Sequence, residues 1–355
     1  MVITFNCSSN HYNPETCVSH EFILGLRVYQ GIASVLGILG SLMTITAIAL
    51  HKRLQTVPNA YLVNLSAADL VVCSLLIPFS MYTVGQRLDQ PYCQLIGYPN
   101  LVTLMTSVMN LSLVAVNRYI VVCRSRDLYA KIYTLRGTAL TIAFPWVFTL
   151  LLFSPPFFGF GRYDYNAKFG VCIFMSGDFN TYWFVFGLAD CTIMFPTLPL
   201  TLFCYVSIMI KFRDSRRKVG NVPANESTVN TNNQGGRTET TSEASHQTGP
   251  TAIKSTTNEN VQTLQKKKQK ESGKQMRAVI KNMFVIWMTF MLFWMPLVMT
   301  YKIDYFSNVA NEVYHVLFAI AQSNSAVNFI IYCAMNKNFR EAYINILTLK
   351  AFKRS

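Results

Sequence analysis

The sequence predicts an all-α membrane protein: a bundle of seven transmembrane helices with a short interfacial helix after the last span. Three observations carry that reading. Of the 355 residues 51% are hydrophobic and only 14% charged, against about 25% charged in soluble domains. The apolar residues gather into uncharged runs of about 20 residues or more, the length a spanning helix needs. Of the 31 Lys and Arg, only five (Arg27, Arg87, Arg162, Lys168 and Lys302) fall on one side of a seven-span path, and the other 26 fall on the opposite side. This positive-inside asymmetry predicts an extracellular N-terminus and a cytosolic C-terminus, and it accounts for the net charge of +14 without nucleic acid as a partner.

Residues 1–26 read as an extracellular N-terminus. They lack the apolar core of a signal peptide, so the first span is expected to act as the signal anchor. Asn6-Cys7-Ser8 is a glycosylation sequon on that side. The seven-transmembrane domain, 27–335, takes its spans from the uncharged runs 28–50, about 54–86 (broken only by Asp69), 90–117, 137–161, 191–210, 282–301 and 313–336. The fifth run extends back to 179 if Asp190 is tolerated. Cys93 stands 25 residues before Arg118, and no charge falls between Asp89 and Arg118. That length, roughly 38 Å as helix, places a thiol at one membrane edge and an arginine at the other. Such an arrangement suits transmission across a membrane better than transport or chemistry.

The loops are short except 211–275, a basic-ended Ser/Thr/Asn/Gly/Gln tract read as a disordered third cytoplasmic loop. Its basic ends serve either as topogenic charge beside anionic lipid or as a partner site. Residues 336–355 form an interfacial helix and cytoplasmic tail. The helix is expected over Asn336 to Ala351, with Phe339, Tyr343, Ile344, Ile346 and Leu347 near one face and membrane lipid as its partner.

Several residues in fixed order resemble the class A, rhodopsin-like G protein-coupled receptors over nearly the whole chain. They are Asp69 within Asn64-Leu65-Ser66-Ala67-Ala68-Asp69-Leu70, the triplet Asn117-Arg118-Tyr119, Trp146, Tyr205, Phe290 with Trp294 and Pro296, Asn328 with Tyr332, and Phe339-Arg340. Within that class the chain is similar to the melatonin-receptor-like branch. Asn117-Arg118-Tyr119 with Cys123, Ser125, Tyr129, Lys131 and Tyr133, the triplet Phe203-Cys204-Tyr205, and the stretches from Asn324-Ser325 to Tyr332 and Asn336 to Arg340 carry this likeness.

The resemblance implies a receptor in the plasma membrane that senses an extracellular small molecule or peptide and activates a heterotrimeric G protein, with arrestin as a further partner. It assigns coupling to Asn117, Arg118, Tyr119, Tyr205 and Tyr332, and the activation switch to Phe290, Trp294, Pro296 and Asn328. Asp69, Ser107, Asn324 and Asn328 match an internal polar cluster that in family members holds sodium and water. Their polar groups need one another or water in any case, so a structural cluster is the other reading. Asn117 replaces the usual acid beside Arg118, and the usual acid at the start of the sixth helix is also absent, Met276 and Arg277 occupying that region. Either the closed state is weakly locked or Asn117 supplies a neutral hydrogen bond. Phe329 replaces the usual proline after Asn328, and Thr197 stands where the fifth helix usually has one.

By the same resemblance Asn100, Leu101, Leu104, Asp190, Trp294, Leu297, Val298, Tyr301, Phe318 and Gln322 line the ligand pocket. Asn100 removes the amine anchor of aminergic receptors, and Pro156 and Ile193 replace the polar anchors for melatonin. Asp190 either meets the ligand or pairs within the bundle. Cys93 and Cys172 both lie outside, and the stretch from Pro155 to Cys172 is long enough to reach back, so a disulfide is expected between them, with Cys7–Cys17 as a second pair. Other classes fit less well. A retinal-bound light sensor needs a lysine where Gln322 stands. An enzyme needs a nucleophile with its base or metal ligands, and the five histidines form no metal-spaced set. A receptor-like protein that is constitutively active or does not couple stays open.

Overall fold

The structure, a computed structural model, describes residues 18–84, 92–175, 193, 195–220, 280–301, 303–304 and 309–348. Asn6, Cys7, Cys17, Asp190, Met276 and Arg277 lie outside the described residues. Among the described residues seven helices are long and apolar enough to cross a membrane: His20–Leu50, Val57–Thr83, Tyr92–Cys123, Leu135–Phe158, Phe195–Asp214, Ile280–Tyr301 and Asn311–Met335. These are the first to seventh spans.

The first span begins eight residues before its uncharged run. Ser19 caps it, its hydroxyl accepting from the Phe22 amide at 3.3 Å. Arg27, which bounds the uncharged run, donates to the carbonyls of Met81 and Val84 at the end of the second span. Small residues let this helix approach its neighbours closely: a Cβ on Gly37 would strike Cys73, and one on Gly40 would strike the Phe329 ring.

The second span widens into a π-helical turn over Val72–Leu76. Its cause is Pro78, which has no N–H to give the preceding turn. The Cys73 carbonyl, which loses its helical donor there, accepts from Ser34 at 2.6 Å. The third span carries Pro99 and the fourth Pro145. Polar ties knit these helices: Trp146 donates to Asn64 at 2.8 Å, Tyr61 meets Thr141 at 2.6 Å, and Thr106 meets Thr149 at 2.7 Å.

Between the fourth and fifth spans an antiparallel hairpin forms from β1 (Arg162–Asn166) and β2 (Val171–Met175), pairing Tyr163 with Phe174 and Tyr165 with Cys172. The turn follows from its residues. The Asn166 side chain accepts from the Lys168 amide at 3.0 Å and the Phe169 amide at 3.3 Å, and Gly170 takes φ +68°. Cys172 is bonded to Cys93 with Cα atoms 5.2 Å apart, so the expected disulfide is present. Buried Tyr163 fastens the other strand, its hydroxyl donating to the Phe153 carbonyl at 2.8 Å.

The helix of the fifth span continues to Gly220, ten residues into the loop expected to be disordered. Lys211, Phe212 and Arg213 tolerate helix, which explains the extension. Residues 209–279 form a separate compact unit, described only over 209–220. The final helix, Lys337–Leu347, is shorter than expected, capped by the Asn336 side chain accepting from Asn338 at 3.0 Å. Phe339 and Tyr343 are buried against protein, Phe339 on the Tyr332 ring at 5.5 Å and Tyr343 bonded to Thr44 at 2.8 Å; Ile344 and Leu347 remain exposed as an apolar edge. The expected single lipid face therefore divides between protein and surface.

Candidate functional site

The assigned residues form three tiers along the bundle. The inner tier contains the coupling set. Asn117, Arg118, Tyr205 and Tyr332 are all buried, and Tyr119 is half-buried with its ring 5.6 Å from Phe203. Tyr205 packs edge-on to Phe284 at 5.2 Å. Polar pairing is sparse here. Among the described residues both amide atoms of Asn117, Nε of Arg118 and the hydroxyls of Tyr205 and Tyr332 have no hydrogen-bond partner. No described carboxylate is ion-paired with Arg118. Two further buried amides were given no role in the sequence: Asn282, whose Oδ1 is unpartnered, near the inner end of the sixth span, and Asn110, with both amide atoms unpartnered, one turn from Ser107 of the middle tier, each only 1% exposed. A polar side chain inside an apolar run was the signal that could have found them. Outside the spans, burial pushes the Tyr133 hydroxyl up to about 12 and also raises Tyr163 and Tyr343, so these hydroxyls stay protonated at neutral pH.

The middle tier joins the polar cluster to the switch. Asn328 donates to the buried Asp69 carboxylate at 2.8 Å, and Asn324 Oδ1 is unpartnered. Ser107, Asn324 and Ser325 share one cavity with Asn100, Leu104, Phe290, Trp294 and Gln322. Residues assigned separately to an ion cluster, a switch and a ligand pocket thus meet in a single space. Phe290 stacks on Trp294, centroids 6.1 Å apart and planes 26° apart. Phe290 also borders a narrow apolar crevice with Val108, Leu111, Leu198 and Met291. Pro296, in the sixth span, lacks the N–H that the Leu292 carbonyl would otherwise receive, which leaves that helix a point of bending beside Trp294.

The outer tier divides the expected pocket. Gln322 is held by two helices, accepting from Gln30 at 3.4 Å and donating to Ser80 at 3.0 Å. Asn100, Leu104, Trp294 and Gln322 face the cavity. Leu297 and Phe318 instead pack with Phe169 and Val171 of the hairpin, together with Tyr314 and Ala321. Tyr301 is exposed, its ring 5.7 Å from Phe169. Leu101 is buried and Val298 half-buried. Pro156 lies buried in the turn Pro155–Phe158, and Ile193 is fully buried.

A bundle of seven membrane-length helices among the described residues, with a disulfide at one end, an arginine-bearing tier at the other and a stacked aromatic pair between them, has the architecture of a seven-helix membrane receptor. The family model for the 7 transmembrane receptor (rhodopsin family) matches residues 40–332, and the chain belongs to that family. It is 25% identical to melatonin receptor type 1B-B of Danio rerio over 89% of this chain and 79% of that protein. It is also 25% identical to the alpha-1A adrenergic receptor of Mus musculus over 98% of this chain and 72% of that one. A crystal structure of squid rhodopsin superposes with a TM-score of 0.72 at 18% identity, covering 96% of this chain and 91% of the other, which bears on the fold alone. The likeness to class A receptors, with melatonin receptors among the relatives, is thus borne out, and the chain is a multi-pass membrane receptor rather than an enzyme.

Proposed function

We propose that the chain senses a small extracellular ligand and activates a heterotrimeric G protein by outward movement of the sixth span, with its N-terminus outside the cell and the C-terminus in the cytosol. The observation that supports this is a shared, water-sized space: Asn100 and Gln322 line it together with Trp294 and the Phe290 ring stacked on it, so a ligand that widens this space from outside meets the aromatic pair. A ligand there touches the switch directly. The ligand is mostly apolar with a few hydrogen-bonding groups. Melatonin is a poor fit, because Pro156 can donate no hydrogen bond and Ile193 offers only apolar contact.

Asp69, Ser107 and Asn324 fit a hard cation such as sodium: one buried carboxylate, one hydroxyl and one unpartnered amide oxygen. Bound there, the ion would offset the carboxylate's charge in the apolar core. Coupling is assigned to Arg118 with Asn117, Tyr119, Tyr205 and Tyr332, and arrestin would meet the same inner face. A ligand screen read out by G-protein dissociation tests the proposal. A hit whose response is lost in Arg118→Ala at equal surface density is the expected result, and a response that survives that substitution contradicts it.

A further inference from the structure

The hairpin between the fourth and fifth spans is fastened at two places. One is the Cys93–Cys172 bond. The other is a group of contacts around its turn. Lys168 forms an ion pair with Asp304, whose side chain is 2% exposed. The same carboxylate accepts from the Tyr314 hydroxyl at 2.9 Å and from the Val309 amide at 3.2 Å. The Lys168 ammonium also lies 4.7 Å from the centre of the Tyr314 ring. His315 Nε2 sits 3.1 Å from the Ala167 carbonyl, and a Cβ on Gly170 would come 2.8 Å from that nitrogen. Only a residue without a side chain, able to adopt positive φ, lets the tip sit this deep. So held, Phe169 and Val171 pack on Leu297 of the sixth span and Phe318 of the seventh, with Trp294 against the same cluster.

We propose that the hairpin tip is a built-in occupant of the outer pocket, latched by Lys168–Asp304, that stabilises the closed arrangement of the bundle. In this arrangement, with the tip seated, Arg118, Tyr205 and Tyr332 are buried and Tyr205 packs on Phe284 of the sixth span. An occupant that binds one arrangement better than another shifts the population toward it. Phe169 bridges the sixth and seventh spans beside Trp294, so displacement of the sixth span sacrifices that contact. The latch is strong because its carboxylate is buried: removing the lysine leaves Asp304 with neutral donors such as the Tyr314 hydroxyl and the Val309 amide but without the opposing charge of Lys168. An incoming ligand therefore either lifts the tip or is small enough to lie beneath it in the Asn100–Gln322 cavity. The signalling half of this inference rests on the G-protein reading above; the latch itself does not.

The test uses the full-length receptor in cells, with two readouts. The first is the rate at which a membrane-impermeant thiol reagent modifies Phe318→Cys, corrected for the chain lacking that cysteine. Lys168→Met and Asp304→Asn are each expected to speed modification roughly tenfold. The second is ligand-free G-protein dissociation per surface receptor, expected to rise severalfold in Phe169→Ala and in the two single latch variants. Unchanged modification rates overturn the latch. Faster modification with an unchanged signal that still depends on Arg118 overturns the tip's role in closure. If neither the native chain nor any variant gives an Arg118-dependent signal, the coupling proposal fails, and the modification rates alone decide the latch. A variant that does not reach the surface is replaced by Lys168→Gln or Tyr314→Phe, each of which removes one contact of the latch and is expected to speed modification.

Discussion

At the outer end of the bundle, Lys168, Asp304 and Tyr314 satisfy one another, Cys172 is bonded to Cys93, and Gln322 is held by Gln30 and Ser80. At the inner end, buried Asn117, Tyr205, Asn282 and Tyr332 all carry unpartnered polar atoms among the described residues, and Arg118 has no described carboxylate. The outer half is closed by directed polar bonds. The inner half is closed mainly by packing, such as Tyr205 on Phe284 and Tyr332 on Phe339. Unpaired buried polar groups cost about 1–3 kcal/mol each, and among the described residues more of them stand at the inner end than at the outer, where Gln30 Oε1 and His315 Nδ1 are unpartnered. A signal that must open the inner face meets its weakest resistance there.

The largest effect should come from cutting the outer covalent tie. Cys93→Ser or Cys172→Ser frees the hairpin from the third span, and losing a disulfide of this kind typically costs about 2–5 kcal/mol. Surface receptor is expected to fall to a small fraction of native by antibody staining of intact cells; native levels would show that the latch alone holds the hairpin. Next comes Arg118→Ala, which should abolish G-protein activation while leaving surface density largely intact. Normal signalling from that variant would detach the inner tier from coupling. Smaller still is the expected response to melatonin. Radioligand binding should find no saturable nanomolar site, whereas such a site, insensitive to substitutions at Asn100 and Gln322, would show that the outer tier has been misread.

The two halves also differed in how much of them could be read in advance. Span number and order were legible because apolar runs and charge asymmetry report directly on a bilayer. Span ends were less so: Arg27 looked like a boundary, yet it lies inside the first span, satisfied by two carbonyls of the second. The inner tier was partly legible through Arg118 and its neighbours. Asn110 stood out only as a glycosylation sequon to be set aside inside a span, and Asn282 was given no role, because a single amide in an apolar helix does not disclose which face it occupies. The hairpin and latch were the least legible. Its strands are five residues each, and Lys168 meets Asp304 across 136 positions, a pairing that local pattern cannot report.

The most direct test of the weak inner closure is Asn117→Asp, with ligand-free G-protein dissociation measured at matched surface density. A carboxylate beside Arg118 supplies the missing ion pair and favours the closed state, and about 1.4 kcal/mol of such preference shifts the population ratio tenfold. The account predicts basal signalling several times lower than native. Basal signalling that is unchanged or higher would contradict it.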